Sequence, residues 1–341
     1  MEQVTDMARE WIIDGYDGFE GLRLQDCEIE TPNPTEVRLR IEAFALNWGD
    51  DDLMRDRYSF SFSAFPARIG MEAAGVVEAV GADVSGINIG DRYCTLPYFY
   101  DRRGASADTL IIDQAYITKA PDGLSAVEAA SVWMQYMTAY FPIVEQFNAA
   151  PGINIFAPAG TSTAGCAALQ IGRMKGATMI TSTRSADNVD YLRANGADHV
   201  FVDDGSDIAA FLLEVTDGVG IHGSFDPVGG GFMARYASAL VNGGKLMLYG
   251  ALTGTYDPPP TLHMFQSDAW FNTYSLFNMV GNAERCAHGK AFVYDALQRG
   301  DLRPNVDRTF PMEGYQDAWR YLRGKRTSYG KVVIETGSEA E

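Results

Sequence analysis

The chain has 341 residues, 46% hydrophobic and 12% aromatic, with 35 Gly and 14 Pro scattered along it; that length predicts two domains, and that hydrophobic content excludes a disordered or low-complexity chain. Its 27 Lys and Arg against 45 Asp and Glu leave a net charge of −18, which excludes general binding to a phosphate backbone. Cys27, Cys94, Cys166 and Cys286 are too dispersed for a zinc ribbon or a disulfide framework, and His199, His222, His263 and His288 show no metal-ligand spacing.

In chain order, the polar segment 1–11 lacks the apolar stretch of a signal peptide, and no apolar run is long enough for a membrane span. These features predict a chain of the reducing cytoplasm. From residue 9 to about 130 the pattern is one of short strands and turns. Val37-Arg38-Leu39-Arg40-Ile41-Glu42-Ala43 alternates apolar and polar, and a second strand runs through 75–81. Closely spaced strands with many turns predict a small antiparallel barrel. Near Ser125 the texture changes. Ser125 and Glu128 have capping-box spacing, followed by a helix-compatible run through Tyr140. Strands at 153–157, 178–182, 199–202, 223–226 and 244–249 then alternate with helices at 164–174, 187–195, 207–215 and 231–240. That alternation predicts a doubly wound parallel sheet. Helices at 283–299 and 315–322 and strands at 306–310 and 331–334 close the chain.

The turn Ala157-Pro158-Ala159-Gly160-Thr161-Ser162-Thr163-Ala164-Gly165 follows a strand and opens a helix. Small residues there let a backbone approach a pyrophosphate, and a helix N-terminus offers it unpaired N–H groups. Ala159, Gly160, Thr161, Ser162, Thr163 and Ala164 are therefore expected to bind a dinucleotide. Only Gly160 and Gly165 remain of the usual three glycines, so the turn alone also reads as an ordinary tight connection. The next strand ends in Thr183-Arg184-Ser185 rather than in the acidic residue that holds a ribose diol. Two hydroxyls and a guanidinium fit a 2′-phosphate and point to NADPH, although a solvated arginine at a strand end would look the same.

Gly70-Met71-Glu72-Ala73-Ala74-Gly75-Val76-Val77-Glu78-Ala79-Val80-Gly81 with Gly90-Asp91-Arg92-Tyr93 resembles the medium-chain dehydrogenase/reductase superfamily. So do Leu46-Asn47-Trp48-Gly49-Asp50, Met137-Thr138-Ala139-Tyr140 and Asp226-Pro227-Val228-Gly229-Gly230. Asp307-Arg308-Thr309-Phe310 with Gly330-Lys331-Val332-Val333 resembles the close of quinone oxidoreductase-like members. The resemblance covers nearly the whole chain. It implies an α/β fold: a Rossmann dinucleotide domain at 128–279, inserted into a GroES-like β-barrel catalytic domain formed by 1–127 and 280–341. It also implies hydride transfer with NADPH.

The zinc-dependent members place Cys, His and Cys on the metal, and the matching positions here are Asn47, Met71 and Met134. An amide and two thioethers are poor zinc ligands, so no metal is expected. The segment 93–111 holds one cysteine, Cys94, and so lacks the structural-zinc lobe. The resemblance therefore implies a zinc-independent reductase of quinones, enones or enoyl thioesters. Two other readings stay open: an alcohol dehydrogenase or carbonyl reductase of the same superfamily, and a non-enzymatic NADPH-binding protein.

By the same resemblance Tyr58 is expected beside the nicotinamide, where a phenol donates to a developing enolate oxygen; it equally reads as a loop tyrosine. Asn47 and Asp50 are expected to line the cleft, Asn47 touching the cofactor as well. Each also reads as a feature of an acidic helix start, Asn47 as cap and Asp50 as dipole partner. Thr138, Asp226, Gly250, Leu252 and Lys331 are expected on the cofactor; Thr138 also reads as helix packing and Lys331 as a solvated strand end. Aromatics in 58–65 and at Tyr98, Phe99, Tyr100, Trp133, Tyr136, Tyr256 and Phe265 suit a flat, conjugated substrate. The apolar run 270–277 resembles the edge strand that relatives pair across a two-fold axis, which implies a homodimer, although a covered edge in a monomer would look the same.

Overall fold

The computed structural model describes residues 7–256 and 258–337, so part of the polar N-terminal segment and residue 257 lie outside the described residues. The chain divides into two compact units, residues 1–134 with 304–341 and residues 135–303.

The first unit is built on Glu36–Ala45, which alternates as expected over 37–43: Val37, Leu39 and Ile41 are buried, while Arg38 and Arg40 flank Glu78 at 3.4 Å each. One edge of this strand pairs with Ala73–Val80. Its other edge is long enough for two partners, Thr109–Asp113 opposite residues 36–40 and Lys331–Glu335 opposite 43–45. The C-terminal strand is thereby joined to the N-terminal part of the chain. Val306–Pro311 adds to it in parallel, and Arg92–Thr95 and Ile117–Lys119 extend the sheet beyond Ala73–Val80 to seven strands. A three-stranded sheet, Arg23–Glu28, Met7–Ile13 and Ala67–Arg68, completes the unit.

The second unit is a six-stranded parallel sheet in the order His199–Val202, Thr178–Thr183, Asn154–Ala157, Ile221–Asp226, Leu240–Leu248, Trp270–Thr273. Strand order reverses between Asn154–Ala157 and Ile221–Asp226, which is where doubly wound sheets open a ligand crevice at the strand C-termini. Phe156, Ile180, Leu212 and Tyr236 are among the side chains of its core.

Three expectations are corrected. The helix expected over 231–240 is two short 3-10 turns, Met233–Arg235 and Ala237–Ala239, because Gly229, Gly230 and Gly231 all take positive φ and no regular helix can start there. The helix-compatible run after Ser125 is interrupted: the capping box starts Ala126–Ala129, Trp133–Tyr140 follows, and a π-helical turn at Phe141–Gln146 contains Pro142. The helix Ala283–Arg299, expected in the first unit, packs in the second. A methyl on its Gly289 would lie 2.9 Å from Met137, and its Arg285 pairs with Glu145 at 2.5 Å.

Candidate functional site

In the first unit the sequence-predicted residues gather on a carboxylate that the sequence reading did not single out, Glu72. It sits at the start of Ala73–Val80 and is 1% exposed. Its Oε1 accepts from the Met134 backbone N–H at 2.8 Å. Its Oε2 accepts from the Lys331 ammonium at 2.6 Å and from Asn47 Nδ2 at 3.4 Å. Lys331 also donates to Asn47 Oδ1 at 2.5 Å. Lys331 is therefore not the solvated strand-end lysine of the alternative reading. It is buried and neutralised, which is the condition for a charge to remain charged in the interior.

Asn47 precedes the helix Trp48–Leu53, and Asp50 reaches back to the Asn47 backbone N–H at 3.0 Å. That is the reciprocal half of a helix cap. Asp50 is fully buried, and its Oδ1 has no hydrogen-bond partner among the described residues. Burial pushes its carboxyl up to about 7, against the opposing pull of the Asn47 N–H and the Lys331 charge. Tyr58 lies over the same turn: a methyl on Gly49 would come within 3.2 Å of its hydroxyl. Asn47, Asp50, Tyr58 and Lys331 are thus brought together.

The chemistry of this donor set does not suit a metal. Met71 and Met134 offer only thioethers, and the Asn47 amide oxygen is taken by an ammonium. The Cys94 thiol is fully buried, donates to the Ala129 carbonyl, and is held protonated by burial, pushed up to about 12. Among the described residues no group of three His, Cys, Asp or Glu side chains could hold a metal ion.

In the second unit the turn after Asn154–Ala157 has the form of a phosphate cradle. Ser162 caps the helix Thr163–Met174, its Oγ accepting from the Gly165 N–H at 3.1 Å. A methyl on Gly160 would lie 2.2 Å from Thr181 Oγ1, so only glycine fits. Ala159 takes φ +54°, a region in which glycine is the unstrained occupant. Thr138 is half-buried midway along Trp133–Tyr140.

The strand-end trio separates. Thr183 Oγ1 accepts from Asn188 Nδ2 at 2.7 Å, and Ser185 Oγ accepts from the Asp187 N–H at 3.3 Å. Both hydroxyls thus order their own turn, whereas the Arg184 side chain is exposed. Asp226 has its carboxylate committed inside the protein: Oδ2 accepts from Tyr236 at 2.6 Å and Oδ1 from the Val228 N–H at 2.6 Å. Its setting, fully buried, is that of a residue ordering the crevice backbone. Gly250 and the half-exposed Leu252 follow Leu240–Leu248, and Leu252 N–H donates to the Pro227 carbonyl at 2.8 Å. Glu72 was nonetheless visible in the sequence as the one acidic residue in a run of small and apolar ones entering a strand.

A barrel-like sheet unit and a switch-point parallel sheet with a capped small-residue turn make the architecture of two-domain dinucleotide-dependent dehydrogenases and reductases. Comparison with known proteins agrees. Residues 33–122 match the alcohol dehydrogenase GroES-like domain and residues 195–334 the zinc-binding dehydrogenase family. The chain is 27% identical to the rat synaptic vesicle membrane protein VAT-1 homolog over 97% of its own length and 84% of that protein. It is 25% identical to a 2-haloacrylate reductase of Burkholderia sp (91% and 93% covered) and to a quinone oxidoreductase of Pseudomonas aeruginosa (96% and 100%). The quinone oxidoreductase structures of Pseudomonas syringae (24% identical) and of Escherichia coli complexed with NADPH (21%) each superpose with a TM-score of 0.89, covering 96% of this chain and 100% of theirs. These two domains, with a quinone oxidoreductase among the relatives, are consistent with the quinone oxidoreductase-like members of the medium-chain dehydrogenase/reductase superfamily.

Proposed function

We propose that this protein is an NADPH-dependent, zinc-independent reductase that delivers hydride to a quinone or an activated alkene, and that it acts as a homodimer. The observation that carries the reading is the Glu72 cluster. Where metal-dependent relatives need metal ligands, Asn47 and the Met134 N–H are tied through one carboxylate to the ammonium of Lys331. The names of the quinone oxidoreductase and 2-haloacrylate reductase relatives point the same way.

The dinucleotide, when bound, supplies the hydride. The chain's own part is to hold and to polarise. The backbone of residues 159–164 at the N-terminus of Thr163–Met174 suits the pyrophosphate, and Arg184 the 2′-phosphate. Thr138, Gly250 and Leu252 are assigned to the same cofactor. Tyr58 is assigned to donate to the oxygen that gains charge as the acceptor is reduced. Asp50, raised toward neutrality, is assigned to hold a proton at Oδ1, and Asn47 to keep the turn that carries Asp50 in register. The homodimer reading rests on Trp270–Thr273, an edge strand with Trp270 70% and the nearby Phe265 89% exposed.

The test is NADPH oxidation by purified protein against a panel of quinones and enones, with metal analysis of the same sample. The expected result is turnover without stoichiometric zinc. Stoichiometric zinc with alcohol-dependent reduction of the oxidised dinucleotide would overturn the reading.

A further inference from the structure

The strand Thr178–Thr183 ends without an acidic residue, but the strand beside it does not. His199–Val202 pairs with it in parallel, Thr183 opposite Val202, and runs directly into Asp203 and Asp204. The Asp203 N–H donates to the Thr183 carbonyl at 2.7 Å, which brings a carboxylate-bearing residue alongside the exposed Arg184. A bare carboxylate there would oppose a 2′-phosphate in two ways. It would repel the dianion, and it would draw the Arg184 guanidinium to itself.

Asp203 is not bare. Arg235 takes it in a two-pronged contact, Nη1 to Oδ2 and Nη2 to Oδ1, both at 2.8 Å. These hydrogen bonds hold the Asp203 carboxyl below its ordinary value, so the pair is ionised and neutral as a whole. Arg235 is fixed from a second side, its guanidinium 5.2 Å from the centroid of the buried Phe232 ring. The local backbone puts it there: the positive-φ glycines 229–231 break the expected helix, and the short turn Met233–Arg235 ends on this arginine. With Asp203 21% and Arg235 37% exposed, such a pair adds little stability, so its main effect is on the charge beside Arg184. Asp204 is exposed, accepts from the Ser206 N–H at 3.0 Å and is screened by water.

We propose that Arg235 sets the preference for a 2′-phosphorylated dinucleotide by neutralising Asp203, which leaves Arg184 to the phosphate. This rests on the NADPH reading of Arg184. Arg235 is a positioning residue: it acts through Asp203 and not on the phosphate. The acid that dinucleotide sites use for a ribose diol is thus present one strand away, and silenced.

The experiment is calorimetric titration at low ionic strength with 2′,5′-ADP and 5′-AMP, which differ only in the 2′-phosphate. Wild-type protein is expected to favour 2′,5′-ADP by about ten-fold or more. Arg235→Ala bares Asp203 and is expected to cut that preference about five-fold, with unchanged affinity for 5′-AMP. Adding Asp203→Asn to Arg235→Ala is expected to restore the preference to within about two-fold of wild type. Arg235→Lys keeps a cation for Asp203 and is expected to hold the preference, which separates lost charge from lost local structure. A preference unchanged in Arg235→Ala, or lost equally in the double variant, would overturn the proposal. No preference in the wild type would overturn it together with the 2′-phosphate assignment of Arg184. Turnover of 1,4-benzoquinone and 2-cyclohexen-1-one with NADPH is measured alongside. If neither reacts while the preference falls in Arg235→Ala and returns in the double variant, the reductase reading falls and the role of Arg235 stands. If they react and the preference is insensitive to Arg235→Ala, the reductase reading stands and the role of Arg235 falls.

Discussion

The Lys331 ammonium lies 2.6 Å from Glu72 Oε2 with both side chains 1% exposed, an ion pair between residues 259 positions apart in the chain. It fastens the last strand to the one that opens at residue 73, and through Asn47 it reaches the helix start that carries Asp50. Removing one partner strands the other charge in the interior, so Lys331→Met or Glu72→Gln is expected to destabilise the protein by about 3–5 kcal/mol. The double variant is expected to be less destabilised than the sum of the two. Urea unfolding of the four proteins measures this; an additive double variant would show that the pair is not coupled.

Asp50 gives a pH signature. Its carboxyl is raised to about 7 in the folded protein from an ordinary value of 3.8. Between these values the folded state keeps the proton and the unfolded state has lost it, so the stability owed to this group falls as pH rises from about 4 to about 7. Asp50→Asn keeps an acceptor for the Asn47 N–H and removes the ionisation. It is expected to be more stable than wild type at pH 8 by on the order of 2 kcal/mol, and the gap is expected to shrink as pH falls toward 4. A gap that does not change with pH would mean that Asp50 does not titrate in this range.

The turn after Asn154–Ala157, proposed as the phosphate cradle, is strained at one residue and sterically closed at the next. Ala159→Gly is expected to relieve the positive φ and to leave the protein as stable or more stable by up to about 1 kcal/mol. Gly160→Ala would push a methyl to 2.2 Å from Thr181 Oγ1 and 2.9 Å from Leu192. It is expected to lose about 1–3 kcal/mol and to weaken dinucleotide binding. Melting curves and dinucleotide titrations read both effects, and a stable Gly160→Ala protein with full affinity would refute the close approach.

At the end of Thr178–Thr183 the hydroxyls order their own turn, and the proposed 2′-phosphate contact falls to the exposed Arg184. Arg184→Ala is expected to weaken NADPH binding by about ten-fold or more while leaving NADH unchanged. Thr183→Val removes the acceptor for Asn188 and is expected to lower stability instead, with little change in the NADPH to NADH ratio. Equal losses for both dinucleotides in Arg184→Ala would remove the 2′-phosphate assignment.

The exposed edge strand carries the assembly prediction. Trp270→Lys places a charge on an unpaired edge and is expected to yield monomer where wild type sediments as a dimer. A wild type that sediments as a monomer would rule the homodimer out.

How much of this was legible follows the range of the interactions. The helix Ala283–Arg299 and the strand His199–Val202 match the expected 283–299 and 199–202, because their periodicity and end signals are local. The expected helix at 231–240 failed where three glycines at positive φ overrode an apolar pattern. Arg184 stands out in the sequence as a strand-end cation, which suggests a phosphate. Thr183 and Ser185 carried the same suggestion, and only their turn hydrogen bonds show that they serve the backbone.

The sequence by itself determined the class of protein: a strand, a small-residue turn and a capped helix in a βαβ pattern, and two methionines and an asparagine where metal-dependent relatives carry ligands. Only the tertiary structure decided what stands in that place. Glu72, Lys331, Asn47 and Asp50 look like four ordinary polar residues along the chain. Their meaning comes from the burial of Glu72, Lys331 and Asp50, with the Asn47 amide bridging them, since removing the charges from water makes each depend on the next. That dependence is set by strand pairing across nearly the whole chain, which no local pattern encodes.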